Sequence, residues 1–536
     1  MIDYPLDNDS TKVEVLRLLN DGWSYRQISE RLGVSKSAVN NFVLRKTYKA
    51  WWDANPKPIA SGEVNDHHAD IRELSSKRFI LTAAQNNTYV HEKFLRSLEM
   101  AAKHLDAQIL VGTFSYNTHG FQNLEKGDGE WFDPKLKDYI LDEPAILANG
   151  LMWCGELNIL PTAVNPLSGL HSYTKTASGI VPHAKVQLES LPTHKNEPCR
   201  MLYTTGTVTL RNYISKKAGQ KASFHHVFGA LLVEVDDHGD WFVRQLIADS
   251  DTGEFHDLDK IYTPTEVKTS TVEAIVWGDI HVEKLDMEVF DTSMCRLNPD
   301  SMLDTLKPKY QFIHDALDFE AKNHHNIADP YHNFLMHVNP EKSESVQSNC
   351  MQVRWFLEEV ERDWCQTVVV ESNHDLALKR WLKESDYKRD PVNAIFFLEC
   401  QLEMYKQLQE GNTDFSVLEW VVKKDGMLDD VKFLKLDESF KVCDDEGTGI
   451  EVGAHGHLGS NGSRGSVGVY QRLGSRYTIG HSHSAAIKDG VYQVGVSGNL
   501  DMGYNLGASS WSHSHCVIYP NGKRSIITLK NGKWHA

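Results

Sequence analysis

Five short apolar runs in the C-terminal half of this chain each stop at a side chain able to ligate a metal. No other feature limits the possible folds as strongly. "EAIVWGDIH" delivers Asp279 and His281, "YQFIHDALD" delivers Asp315, and "QTVVVESNHD" delivers Asn373 and His374. "IEVGAHGH" delivers His455, and "RYTIGHSH" delivers His481 and His483. In an α/β sheet, residues just past the carboxyl ends of strands converge on one crevice. Residues i and i+2 of an extended chain point the same way. Asp279 with His281, and His481 with His483, are thus expected to address one cavity each. Aspartate, asparagine oxygen and neutral imidazole suit Mn²⁺, Fe²⁺, Zn²⁺ or similar ions, and no thiolate is present to select a softer metal. Two ions roughly 3.5–4 Å apart, bridged by a carboxylate, can clamp a phosphate and activate a water for in-line attack.

The ordered set DxH, HDxxD, NHD, HGH and GHSH resembles the calcineurin-like metallophosphoesterase superfamily over roughly residues 270 to 505. Each motif alone is weak; five in order behind strands are specific. Two positions depart from the family pattern. His314 stands where the second motif has glycine, and Ser372 stands where the third does; both departures spare the ligands. The resemblance implies an α/β fold with a β-sandwich core flanked by helices, and two divalent ions, Mn²⁺ or alternatively Mg²⁺. It implies one metal on Asp279, His281 and His483 and a second on Asn373, His455 and His481, with Asp315 bridging. His374 would stabilise the phosphate or protonate the leaving oxygen, and Asp375 could orient it. His455 and His457 compete for the fourth motif. His455 is favoured because family members place a histidine directly before a glycine at a strand end.

Bulk properties narrow the class further. The chain has 536 residues, which points to three or four domains at roughly 150 residues each. Eight scattered cysteines without a CxxC argue against a disulfide framework or a cysteine zinc site and fit a reducing, cytoplasmic location. The acidic opening MIDYPLDNDS predicts no signal peptide, and no apolar run approaches the roughly 20 residues of a membrane span. A net charge of -17 gives no global signature of nucleic-acid binding.

The N-terminus shows a local one. Residues 11–50 carry eight Lys/Arg against three Asp/Glu, a net of +5. Val13, Leu16 and Leu19 mark one helix, and Ser24 caps a second carrying Ile28 and Leu32. Gly33 turns the chain, and Ser35 caps a third helix carrying Val39 and Phe42. This is the pattern of a helix-turn-helix, expected over residues 1–50. Its recognition helix offers Lys36, Ser37, Asn40, Asn41 and Arg45 to DNA. A three-helix protein-docking module is the competing reading. Residues 51–76 are expected to form a linker. Residues 77–268 are expected to form an α/β domain without a catalytic signature, opening on a βαβ unit and containing a hairpin at Asp236–Gly239. Residues 269–536 are expected to form the two-metal domain.

Between two ligand motifs lies "HLGSNGSRGSVGVYQRLGSRY", rich in Gly and Ser, with Arg464, Arg472 and Arg476 available for phosphates. A flexible surface loop is the bland alternative. With the helix-turn-helix, this segment directs the phosphoesterase reading toward duplex DNA. The combination resembles the phage branch of the superfamily, the pre-early host-DNA-degrading proteins of T5-like phages. Their catalytic core is related to that of double-strand-break repair nucleases. The resemblance implies a metal-dependent DNase acting in an infected bacterial cytoplasm, with a homo-oligomer possible. A phosphatase or phosphodiesterase acting on small molecules or proteins, and a non-catalytic DNA-binding regulator, are the alternatives.

Other histidine pairs serve as controls. His513 and His515, in the apparent hairpin "SHSHCVIYPNGKRSIITL", are expected on a sheet face. His67-His68, His225-His226 and His324-His325 are expected at the surface.

Overall fold

Short runs of β-branched and aromatic residues without polar interruption are expected to be buried on both faces, and the strands leading to the site are. The computed structural model describes residues 14–15, 17–18, 23–35, 38–39, 71–116, 130–194, 197–323, 326, 329–338, 345–424 and 426–536. Within it, Lys432–Leu434, Gln366–Val370, Tyr310–His314 and Ala274–Val276 lie side by side and parallel. Ser514–Ile518 and Arg524–Thr528 continue the same sheet antiparallel.

Successive residues of these strands face two different cores. Ile275, Ile313 and Val369 join a core with residues of the helices Val346–Val360, Asp375–Glu384, Ala394–Gln409 and Val417–Val422. Ala274, Val276, Phe312, Val368 and Val370 share a second core with Ile180, Ile450 and Ile487 of another sheet. The result is a helical layer, a six-stranded sheet and an eleven-stranded sheet. Each fully buried side chain of this size contributes about 1.5–3 kcal/mol.

The eleven-stranded sheet begins at Arg72–Glu73 and ends at Lys441–Val442, so it crosses position 268. Leu188–Leu191 pairs antiparallel with Ala486–Lys488, placing Ile487 opposite Leu188. The region before 268 also holds a four-stranded sheet. There Arg78–Gln85, the helix Glu92–Leu105 and Gln108–Phe114 make a parallel βαβ unit. Gly229–Val235 and Trp241–Ile247 form the hairpin turning at Asp236–Gly239. Its edge is tied to the six-stranded sheet, because the Ile526 N–H donates to Gln245 Oε1 at 2.8 Å.

The chain separates into two compact units, Met1–Asp70 and Ile71–Ala536. In the first, Ser24 caps the helix Tyr25–Leu32 through a capping box with Gln27, and Gly33 ends it at φ 66°. The Ala38 N–H donates to Ser35 Oγ at 3.1 Å, as a cap there requires. Val15, Leu18, Ile28 and Val39 are buried. Lys36, Ser37, Asn40, Asn41 and Arg45 lie outside the described residues. Among the described residues, no helix is long and apolar enough to cross a membrane.

Candidate metal centre

Two sheets supply the site. The six-stranded sheet delivers Asp279, His281, Asp315, Asn373 and His374 just past three of its parallel strands. The eleven-stranded sheet delivers His455, His481 and His483 just past Ile450–Glu451 and Arg476–Ile479. The sheets meet through the aspartate. The His481 N–H donates to Asp279 Oδ2 at 2.7 Å, and the Asp279 and Val496 backbones form a bridge. Glycine is required at 480, since a Cβ there would lie 2.1 Å from Asp279 Oδ1.

The ligand residues are not extended. His281, Asp315, His481 and His483 have φ of 48°, 44°, 76° and 59°. The expected i, i+2 geometry therefore does not apply. The side chains of these four residues converge where the backbone turns through the left-handed region past the ends of Ala274–Val276, Tyr310–His314 and Arg476–Ile479. Such residues cost on the order of 1–3 kcal/mol each and cluster where function holds them.

The convergence is tight. Ligand atoms of Asp279, His281, Asp315 and His483 all lie within 4.8 Å of one another, and all four residues are buried. His281 Nε2 is 3.0 Å from His483 Nε2 and 3.5 Å from Asp315 Oδ2, and His483 Nε2 is 3.3 Å from Asp279 Oδ2. His455 Nε2 lies 3.2 Å from the same Asp315 Oδ2. His455 rather than His457 is thus the histidine against Asp315. The His457 ring is displaced 5.4 Å from that of His455, and the His481 ring stands 5.3 Å from it.

Whether these residues fit a divalent ion is answered by their unused atoms. Asp279 Oδ1, Asp315 Oδ1, Asn373 Oδ1 and His455 Nε2 are buried without a hydrogen-bond partner. Buried polar groups are ordinarily paired, so a cluster of idle oxygen and nitrogen lone pairs is what a metal-binding set leaves. The cluster could hold a metal ion.

Charge organises the same atoms. Burial works against ionised Asp279, but the His483 hydrogen bond and the His455 charge outweigh it and hold its carboxyl low. Asp315 is held well below the usual range in the same way, by His455 and His374 against burial. His281 is raised to about 9 despite burial, chiefly by its hydrogen bond to Asp318 and the Asp315 charge. Burial lowers His481 to about 4, with neighbouring His455 adding to the effect.

His374 begins the helix Asp375–Glu384 and stacks edge-on against His281, with ring centroids 4.7 Å apart. Its Nδ1–H donates to the Asp318 carbonyl at 3.0 Å. Asp375 was expected to orient it, and the geometry differs. Asp375 accepts from the Leu317 N–H at 3.1 Å and from Ser372 Oγ at 2.8 Å, stapling two site loops together. Ser372 acts as the partner of that staple.

Two contributors, Asp318 and Glu283, are not among the residues singled out from the sequence. Asp318 Oδ1 accepts from His281 Nδ1 at 3.0 Å, fixing which imidazole nitrogen faces the cluster. Asp318 closes the quoted HDALD motif, so its signal was present. Buried Glu283 accepts from the Asp318 and Phe319 N–H groups at 2.7 and 2.9 Å. His515 is fully buried; it accepts from the Gly278 N–H at 2.9 Å and donates to Ser293 Oγ at 3.1 Å. His226, expected at the surface, is buried, accepting from the Tyr213 hydroxyl and donating to the Thr209 carbonyl.

The expected phosphate contacts divide. Arg464 and Arg472 are exposed, and among the described residues neither guanidinium has a protein partner. Arg476 is spent within the protein, donating to the Gly522 carbonyl at 3.0 Å and the Thr448 carbonyl at 3.1 Å.

Residues 7–50 match the family model of the Homeodomain-like domain. Protein A1 of Escherichia phage T5 is 43% identical over 490 residues, covering 90% of this chain and 86% of the relative. No solved structure matches the chain at a significant level. At that identity and coverage, the chain belongs to the family of Protein A1 of Escherichia phage T5.

Proposed function

We propose that this chain is a DNA nuclease of the calcineurin-like metallophosphoesterase type, hydrolysing phosphodiester bonds at a two-metal centre. The observation that carries the reading is the meeting of Asp279, His281, Asp315 and His483 within 4.8 Å at the ends of strands from two sheets. Asp279, His281 and His483 would hold one ion, Asn373, His455 and His481 the other, and Asp315 would bridge them. Mn²⁺ suits this oxygen and nitrogen set, and Mg²⁺ is the alternative. When bound, the ions supply charge neutralisation at the phosphate and activation of a water.

The chain's own residues do the rest. Asp318 holds the His281 ring with one nitrogen toward the cluster. His374 has its Nδ1–H engaged on the Asp318 carbonyl, so in the imidazolium form its Nε2–H is the group left to give a proton to the departing oxygen, leaving the ring neutral. Asp375 keeps the Ser372 and Leu317 loops at fixed separation. Arg464 and Arg472 are free to meet backbone phosphates, and the helix-turn-helix unit gives a separate hold on duplex DNA. The resemblance to host-DNA-degrading phage proteins supports action in the infected bacterial cytoplasm.

The test is incubation of linear and circular duplex DNA with Mn²⁺, with EDTA as the control. Metal-dependent loss of DNA supports the reading. Turnover of a nucleotide monoester without DNA cleavage would replace it with a phosphatase.

A further inference from the structure

His314 occupies the position of the family glycine in the second motif and had no role in the sequence reading. It ends the strand Tyr310–His314, is fully buried, and sits directly before Asp315. Its Nδ1 lies 3.3 Å from Nδ1 of His455. Its Nε2 is buried without a hydrogen-bond partner. The two rings are 5.5 Å apart and inclined at 34°, so they meet at their nitrogen edges rather than stacking face to face.

Two Nδ1 atoms at that distance need one proton between them, and the rest of the site decides who carries it. His455 directs Nε2 toward Asp315, at 3.2 Å from Oδ2. A histidine that ligates through Nε2 must leave that lone pair free, so its proton sits on Nδ1. His314 must then accept through Nδ1 and carry its own proton on Nε2. Ligating histidines usually hand their second N–H to a carboxylate, a carbonyl or water. Here the acceptor is a neutral imidazole. It orients His455 without adding a negative charge to a pocket already holding Asp279, Asp315, Asp318 and Asp375.

We infer that His314 is a positioning residue for the metal site of His455, acting by accepting the His455 Nδ1–H. The inference rests on the two-metal reading above. It takes the chain's departure from glycine at 314 as a functional substitution.

Mn²⁺ titration of the metal-stripped full chain by calorimetry tests it, because binding is read without turnover. His314→Leu keeps the volume but removes the acceptor. His314→Asn places an amide oxygen near the lost Nδ1. The expected result is that His314→Leu weakens one of two Mn²⁺ equivalents by about 10–100-fold, and His314→Asn recovers most of that loss. The other equivalent should move less than about threefold in either variant, being outside the reach of this contact.

Unchanged binding in His314→Leu overturns the inference. Equal weakening in both variants also overturns it, because packing alone would then be at stake. Complete loss of one equivalent in both makes His314 a ligand, which overturns it too. Should His314→Leu fail to fold, His314→Ala replaces it in the same comparison. Wild-type protein that takes up no Mn²⁺ would refute the two-metal reading itself, a result distinct from all of these.

Discussion

Two histidine pairs separated by about thirty residues, "GHSH" and "SHSH", look alike as text and end in opposite employment. His481 and His483 follow a strand into left-handed backbone, and the His483 ring faces His281 and Asp279. His513 and His515 flank the start of the strand Ser514–Ile518, inside a sheet. There the imidazoles serve the backbone: His515 takes the Gly278 N–H and His513 donates to the Gly498 carbonyl at 3.1 Å. What separates them is the conformation of the chain that carries them. A turn after a strand aims side chains along the sheet toward a common edge, whereas a strand interior aims them at the layer above or below.

The difference can be broken most sharply at the first pair. His483→Ala should abolish Mn²⁺-dependent DNA degradation while filter-binding affinity for DNA persists; retained cleavage would remove His483 from the site. His374→Ala comes next, with an expected fall in turnover of about 10²–10⁴-fold and unchanged Mn²⁺ uptake. A parallel loss of metal would make it a ligand instead.

Acid provides the third comparison, between histidines that serve the backbone and the pH range of the fold. Burial pushes His515 and His226 down to about 3 and His183 to about 4. In the unfolded chain these rings protonate near pH 6.5, so below that pH the unfolded state binds more protons and stability falls. Each should remove up to about 1.4 kcal/mol per pH unit between roughly pH 6.5 and its own folded value, and nothing above pH 7. A thermal midpoint flat from pH 7.5 to 5 would contradict their buried neutral state.

His515→Ala should cost about 1–3 kcal/mol in a denaturant melt by orphaning the Gly278 N–H, with cleavage retained below the melting range. Cleavage lost as completely as in His483→Ala would erase the distinction between the pairs. The smallest effect is expected for His513→Ala, about 0.5–1.5 kcal/mol for one hydrogen bond and cleavage within twofold of wild type.

Much of the candidate site could be read from the sequence because its information is local. Each clustered residue follows its own apolar run, so Asp279, Asp315 and His483 could be picked out from spacing and residue type, whereas spacing alone left His455 and His457 as alternatives. The pairings that steady them could not be picked out, even where, as with Asp318, the residue itself closes a visible motif. Asp318 acts across to His281, 37 residues earlier, and His515 reaches Gly278 across 237 residues. His226 could not be distinguished from a surface histidine, since its burial depends on Tyr213 and Thr209 folding over it. The βαβ unit near residue 78 and the hairpin at Asp236–Gly239 were legible for the same local reason. The pairing of Ile487 with Leu188 was not, because strand edges recognise one another through backbone groups that every residue shares.

That last pairing has a consequence for anyone wishing to simplify the molecule. A fragment cut at 268 would keep every proposed ligand yet strip Ala486–Lys488 of its neighbour, baring a row of unpaired N–H and C=O groups a few residues from His483. Bare edges of this kind recruit other chains, so the shortened protein should precipitate or polymerise where the intact one does not. The stretch without a chemical signature then has a plain duty. It is the border that keeps the sheet bearing the histidines closed to strangers.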